Sequence, residues 1–536
     1  MSHSEDPVVV IGDGPVGQTA ALLLARWGLP VVVVDARPVR DMVGSKAICQ
    51  QRDVLDVWDS LGGAGAQIAR EGVTWTRATT FHQDHELFTL EFQDPGQSPF
   101  PPFVNISQCR TEEILDEKIE TNPRIDVRWG HRATGIAQND SGAVVTCVTE
   151  SGEVRIAASY VIACTGARSD RLRAELGLTF EGSTFGDQFL ICDIRTDLPG
   201  WGQERRFYFD PPWNPGRQVL IHPCPDSTFR IDWQVPETFD LAEAERSGSL
   251  DARIRQIIGD REYEVMWSSV YRFHSRVVNR MRVGRVLLAG DSAHLVSPFG
   301  ARGLNSGVQD AENAAWKIAF VLHGWAPESL LDSYHDERHA AALENIDVTT
   351  ATMNFLVPHT AAEQDHRRRV LEAARHDPMS RAEVDSGRLA EPFWYSDSPL
   401  TTPSVDRPAS GRPPRGTTPP CAPGVLIPDH KVYDSVDGRP DRLRRRLRDG
   451  MTLLCGTAVD VGQVRDVVAA AGSAHVYVSG VDELDDDLGR ALGLGADEVW
   501  LVRPDAHIAA CLASADAADV LAAVHRTLGS TANALS

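Results

Sequence analysis

Two runs of branched apolar residues stand out near the start of the chain, Val8-Val9-Val10-Ile11 and Val31-Val32-Val33-Val34. Apolar at every position, such runs fit strands covered on both faces of a parallel sheet. Between them, Gln18 to Trp27 has the composition of a buried helix and is closed by Gly28. Strand, helix and strand in this order predict an α/β unit with a crossover helix. From Phe185 to Val278 the pattern becomes alternating. Arg205-Arg206-Phe207-Tyr208-Phe209 and Thr228-Phe229-Arg230-Ile231-Asp232-Trp233 are separated by the turn-rich Pro211-Pro212-Trp213-Asn214-Pro215-Gly216. This predicts an antiparallel sheet layered on the first unit. At Val286 the pattern returns to a strand, a loop and a long helix from Asn305 to about His323, so the chain re-enters the first unit. Residues 396–424 are dense in Pro, Thr, Ser and Arg and predict an extended linker or a wrapped surface segment. Strands centred on Leu453, Val476 and Trp500 then alternate with helices in a third, smaller α/β unit.

Composition narrows the function classes. A formal net charge of −22 over 536 residues argues against nucleic acid or an anionic membrane as partner. The basic run Arg442 to Arg448 reads as a solvated helix face. Nine scattered cysteines without a C-x-x-C pair predict a reduced, cytoplasmic protein and no metal site. The N-terminal residues lack the basic, apolar pattern of a targeting segment.

The first strand runs into Gly12-Asp13-Gly14-Pro15-Val16-Gly17, and the second ends in Asp35, followed by Ala36 and Arg37. Gly12 suits the tight turn, Gly14 a close backbone approach to a pyrophosphate, and Gly17 close packing of helix on strand, while Asp35 can accept from a ribose diol. The pattern predicts an adenine dinucleotide without choosing between NAD and FAD. A second constellation runs from Gly284-Arg285-Val286-Leu287-Leu288-Ala289-Gly290-Asp291-Ser292-Ala293-His294 through Ser297-Pro298-Phe299-Gly300-Ala301-Arg302-Gly303-Leu304-Asn305. Asp291 at a strand end suits a polyol hydroxyl, and the helix beginning near Leu304 aims N–H groups at whatever lies before it.

These residues resemble the two FAD motifs of the class A flavoprotein aromatic hydroxylases, the para-hydroxybenzoate hydroxylase fold family. The resemblance extends to Gln108 as a ribityl contact, to Lys46 and Arg52, and to the Leu331-Asp332-Ser333-Tyr334 to Arg338 helix. The tail is similar to the thioredoxin-like domain of phenol hydroxylase-like members. Two positions depart from the family pattern: Thr165 stands where an acid is usual, and Arg302 where glutamine is frequent. The implied organisation is an FAD-binding domain in two parts (1–184 and 279–395), a substrate domain (185–278), a linker (396–424) and a thioredoxin-like domain (425–536).

The implied activity is hydroxylation of a phenol-like aromatic through a flavin C4a-hydroperoxide, with O2 and transient NADH or NADPH. FAD contacts are expected from Gly12, Gly14, Pro15, Val16, Gly17, Asp35, Ala36, Arg37, Lys46, Arg52, Gln108, Gly290, Asp291, Pro298, Gly303, Leu304 and Asn305. Catalytic candidates are His222, Tyr271, Pro298 and Arg302; substrate candidates are Tyr208, His222 and Trp233. His294 is expected to be structural, and Gly300 and Gly303 to let the loop move. Baeyer–Villiger oxygenation and flavin reduction on the same fold remain alternatives, whereas the Trp-x-Trp-x-Ile-Pro motif of flavin-dependent halogenases is absent. The lone Cys455 assigns the tail to structure or homo-oligomerisation, not thiol exchange, and deletion after about Gly424 is expected to leave the FAD motifs intact at a cost in solubility or assembly.

Overall fold

In the computed structural model, which describes residues 6–40, 47–92, 98–409, 411–412, 419–433, 438–473 and 475–530, the two valine-rich runs lie side by side at the centre of a six-stranded sheet. Its order is Arg282–Val283, Val286–Leu288, Val161–Ala163, Val8–Ile11, Val31–Val34 and Ile125–Arg128. All pairs are parallel except the hairpin at the first edge. Both faces are covered, which is why these strands carry no polar alternation. The helices Pro15–Arg26 and Arg302–Leu322 pack on one another, and a three-stranded antiparallel sheet, Arg132–Asn139, Gly142–Thr149 and Gly152–Ala158, shares the same core.

An eight-stranded sheet stands against this unit, with Phe180–Arg195, Thr228–Val235, Gln218–Cys224 and Glu204–Phe209 adjacent in that order. It is wider than the 185–278 segment expected to build it. The hairpin Arg77–His82 and His85–Glu91 extends one side, joined through a parallel pairing with Glu204–Phe209. One face packs on the helices Leu241–Arg246 and Ser249–Ile258 around Trp233. The other faces the dinucleotide unit.

The C-terminal sheet has the order Tyr477–Gly480, Thr452–Cys455, Val499–Val502 and Ile508–Leu512, a βαβ unit followed by an antiparallel hairpin and a helix, Ala517–Thr527. Cys455 is buried, and burial pushes its thiol up to about 12, so the one cysteine at the end of the first strand is held as an inert thiol.

Two expectations fail here for the same reason, tight packing of this unit on the rest. The basic run is not a solvated face. Arg444 is buried and pairs with Asp53 at 2.6 Å and Asp56 at 2.8 Å, while Arg448, one helical turn on, is buried against Glu312 at 2.7 Å. Nor is the tail separable. Trp316, Phe320 and Leu330 of the FAD-side helices lie inside its core, and Arg503 donates to both oxygens of the buried Glu337, at 2.5 and 2.9 Å. The described part of 396–424 follows the wrapped alternative, Thr402 N–H donating to Ala509 O (2.8 Å) and Gly424 N–H to Ile508 O (2.7 Å).

Deleting the chain after Gly424 therefore leaves the buried Glu337 without the Arg503 guanidinium, its ion pair reduced to Lys317, and bares an apolar face, and the product is expected to be insoluble or flavin-free. Arg503→Ala is the milder form, expected to cost about 3–5 kcal/mol in denaturant unfolding because it strands a buried charge. A truncated protein that purifies with FAD at normal stability would contradict this reading.

Candidate active site

Gly12 sits at φ +104°, and a Cβ there would come 2.3 Å from the Cys164 carbonyl oxygen; one on Gly17 would come 1.9 Å from the Gly12 oxygen. Both glycines are required by packing alone. Gly14 differs, because a Cβ on it would meet nothing within 4 Å: the space above it is an open approach to the N-terminus of the helix Pro15–Arg26. This is the cradle a pyrophosphate needs. Asp35 ends the neighbouring strand and accepts from Asp13 N–H (2.8 Å), Arg37 N–H (2.8 Å) and the Arg37 guanidinium (3.0 Å to each oxygen). Burial works to raise its pKa, but these donors outweigh it and hold the carboxylate ionised.

The second loop is anchored from below. Asp310, fully buried, accepts from Gly290 N–H (2.9 Å), the His294 ring (2.7 Å) and Arg338 (2.7 Å). Arg173, unremarked in sequence, donates to the carbonyls of Ser292 and Asp291, each at 2.9 Å, and Thr165 bonds Ser292 at 3.1 Å. The substitution of Thr165 for the family's acid thus leaves a hydroxyl that ties the middle motif to the second loop.

Between the two loops and the large sheet lies a cavity of about 1140 Å³. Gly12, Gly14, Pro15, Val16, Asp35, Ala36, Arg37 and Gln108 line one part, and Gly290, Asp291, Pro298, Gly303 and Leu304 the next. The helix beginning at Arg302 opens its N-terminus onto the same space. An elongated cleft with two such helix ends fits FAD. Gly17 lies behind the lining. Asn305 lies behind it too, joining Cys49 O (3.0 Å) and Gln51 N–H (2.9 Å) to the helix; Arg52 donates to Phe100 O (2.8 Å), also off the lining. Lys46 lies outside the described residues.

The far part of the cavity meets the sheet, and here strand alternation decides everything. Phe189, Ile191, Leu220, His222, Arg205, Arg230, Asp232 and Phe273 face in, together with Trp75, Phe299 and Leu389. Of the three substrate candidates only His222 is among them. Trp233 follows Asp232 and so points the other way, wholly buried in the core beneath the sheet. Tyr208 is on that face too, stacked on Phe81 at 4.6 Å and bonded by Arg206 at 3.2 Å. Tyr271 pairs with Phe189 across the sheet but is off the lining, one step beyond Phe273.

Arg302 reaches the lining, but its guanidinium is turned away, donating to Asn345 Oδ1 (2.7 Å) and to the carbonyls of Arg388 (3.3 Å) and Leu389 (3.0 Å). It clamps a distant segment under the loop. Gly300 contradicts its expected freedom: a Cβ there would lie 2.1 Å from Arg388 O, and its own carbonyl accepts from Ala390 N–H at 2.7 Å.

The missed residues are polar ones on an apolar strand. Arg230 is bidentate to Asp193 at 2.7 and 3.0 Å. Asp232 lies 3.8 Å from His222, Oδ2 to Nε2, and burial raises its pKa to about 7 against the lowering influence of Arg230. Burial, then Arg205 and Arg230, hold the His222 ring well below its ordinary value and therefore neutral. The F-R-I-D-W pattern of 229–233 carried the signal: two charges at alternate positions of a core strand.

A dinucleotide cradle, a second loop at a helix start and an aromatic-walled pocket against an antiparallel sheet define a flavoprotein acting on an organic substrate. The profile of the family described as "FAD binding domain" matches residues 5–349. A flavin-dependent monooxygenase of Mycobacteroides abscessus is 34% identical over 67% of this chain and 77% of that one. Para-nitrophenol 4-monooxygenase of Pseudomonas sp. strain WBC-3 is 29% identical over 65% and 86%. The crystal structure of the flavin-dependent monooxygenase PieE with FAD and substrate superposes with a TM-score of 0.83, 23% identity, and 98% and 99% coverage. The chain belongs to the FAD binding domain family and is a FAD-dependent monooxygenase.

Two predictions follow from these geometries. Gly14→Val is expected to fold and melt like the cofactor-free wild type yet retain no FAD, whereas Gly12→Val, which needs a valine at positive φ against a carbonyl, should not fold. Cofactor release and melting curves of the two variants check this, and normal FAD retention by Gly14→Val would contradict it. Asp232 binds its proton more tightly folded than unfolded, so its ionisation costs stability. That cost is absent below about pH 4, grows from the ordinary value of 3.8 to about 7 and is complete above it. Asp232→Asn should therefore raise the melting temperature by about 2–4 °C near pH 8 and leave it unchanged near pH 4. The same difference at both pH values would count against the raised pKa.

Proposed function

We propose that the chain hydroxylates a phenol-like aromatic compound with NADH or NADPH as electron donor. The observation that carries this reading is the far part of the cavity: walls of Trp75, Phe189, Phe273 and Phe299, which suit a flat apolar ring, closed by the polar His222 and Asp232, which suit a ring hydroxyl. The two relatives quoted above, a flavin-dependent monooxygenase and a nitrophenol monooxygenase, support it.

Bound FAD supplies the redox chemistry, taking electrons from the nicotinamide and activating O2. This chain's residues do the rest. Gly14 and the first N–H groups of the helix after Pro15 would hold the pyrophosphate, Asp35 and Arg37 the adenosine end, and Asp291 and Gln108 the ribityl chain. The Pro298–Gly303 loop lines the cavity where it meets the sheet and would sit beside the flavin ring. Leu220, Ile191 and Phe189 keep water from the ring's far side, since the reaction is productive only in a dry pocket. The C-terminal unit is a redox-silent, thioredoxin-like support.

Among the described residues no helix is long and apolar enough to cross a membrane, and no group of three His, Cys, Asp or Glu is placed to hold a metal ion. The cytoplasm as location and a homo-oligomeric state belong to the same proposal.

With the Gly12–Gly17 turn committed to FAD, the nicotinamide visits only transiently, and substrate binding is expected to gate the visit. Anaerobic stopped-flow reduction by NADH and NADPH, run across a panel of phenols, should find at least one that accelerates flavin reduction about tenfold or more and is recovered with one added oxygen atom. No acceleration by any phenol, in a preparation that holds FAD, would overturn the reading. Cys455→Ser should leave turnover unchanged.

A further inference from the structure

The cavity face of the large sheet carries a row of charges on adjacent strands. Asp193 pairs across with Arg230, and Arg230 with His222. Arg230 is spent on Asp193, which it holds with two hydrogen bonds. Asp232, two residues further along the same strand, is placed differently. Its cross-strand neighbours are Ile191 on one side and Leu220 on the other, so neither flank offers a donor. The accessible part of its side chain opens onto the cavity, which it lines.

Two polar atoms in this corner, Asp232 Oδ1 and His222 Nδ1, are buried without a hydrogen-bond partner. Both of these atoms are shut away from the cavity, so the polar atoms of this corner that a ligand can meet are the other two, Asp232 Oδ2 and His222 Nε2. The 3.8 Å between Asp232 Oδ2 and His222 Nε2 is too long for a hydrogen bond between them. It is the right span for one hydroxyl oxygen to sit about 2.8 Å from each.

We propose that Asp232 and His222 together receive the ionisable hydroxyl of the substrate and that Asp232 is the base that takes its proton. This rests on the phenol reading above and names the residues that make it work. The phenol O–H bond breaks, its electron pair stays on oxygen as phenolate, and the proton forms the O–H bond of the Asp232 carboxylic acid. His222 stays neutral and donates its ring N–H to the phenolate oxygen. One negative charge moves from carboxylate to phenolate, so no additional charge is created in the buried pocket. A neutral base would create two. The groups facing Asp232 are Arg230 with its partner Asp193, Arg205 and His222; the two arginines supply a positive field that favours the anion wherever it resides. A carboxyl held near neutrality is also a closer match to a phenol than an ordinary aspartate.

The test is an equilibrium titration of the oxidised holoenzyme with 4-nitrophenol, whose phenolate and phenol differ in visible absorbance, read as a difference spectrum from about pH 5 to 9. Wild type is expected to bind it as phenolate below the pH at which free probe ionises. Asp232→Asn should bind within about threefold of wild type but need a pH at least about one unit higher for the same phenolate fraction. His222→Gln should weaken binding about tenfold and shift the fraction the same way. Binding retained in Asp232→Asn with an unshifted phenolate fraction overturns the proposal and leaves the phenol site standing. A wild-type holoenzyme that binds no 4-nitrophenol removes the phenol site and the proposal together. Should Asp232→Asn fail to retain FAD, the His222→Gln titration decides in the same two directions.

Discussion

The buried carboxylate of Asp310 is the interaction on which the rest depends. Taking a carboxylate fully out of water costs several kcal/mol unless donors surround it. Here they are the Gly290 N–H, His294 and Arg338; burial works to raise the pKa, and these partners hold it down at about 2. The loop that presents Asp291 and Pro298 to the cavity is thus fixed by electrostatic need as well as by packing. Arg338 in turn donates to the Tyr395 hydroxyl at 2.9 Å, and the residue before it, Glu337, gathers Lys317 at 2.7 Å and Arg503. Each of these charges is tolerable only because the next is present, so the loop, the long helices and the C-terminal unit hold together as one assembly.

At the other end of the cavity the logic is reversed. Asp193 and Arg230 satisfy one another, while Asp232 and His222, on the same face and a few ångströms away, are left with unused polar atoms. A sheet that pairs one acid so thoroughly and leaves its neighbour incomplete separates structure from function within two residues of one strand. The protein keeps a destabilised acid where the reacting ring would lie, the usual signature of a site shaped for a ligand rather than for its own stability.

What could be read from the chain alone follows from how local each feature is. Gly12 to Asp35 and Gly290 to Leu304 are contiguous, and each residue's task is set by its immediate neighbours, so the dinucleotide site was legible. The substrate side was not. Which of Asp232 and Trp233 faces the cavity depends on which side of the sheet the FAD unit covers, and a shift of one residue inverts every assignment. The aromatic Trp233 and Tyr208 lie on the face turned away from the cavity, while His222 lies on the cavity face. Arg302 and Arg444 were misread for a related reason: their acceptors, at Asn345, Arg388 and Leu389 and at Asp53 and Asp56, lie far away in sequence. Charge runs and glycines describe local freedom, and distant contacts had removed it.

The Arg503–Glu337 bridge also orders events in time. Protein synthesis runs from N- to C-terminus, and the dinucleotide turn at Gly12 is complete long before residue 503 is made. Glu337 therefore emerges as a buried acid in waiting, with Lys317 but without its second cation. The nascent chain can form its first βαβ unit early, yet the helix bearing Glu337 and Arg338 has its full set of partners only once the C-terminal sheet has docked. Support for the flavin-facing loop is thereby tied to the synthesis of residue 503: a chain released before it would own the pyrophosphate turn and lack one cation of the network behind that loop.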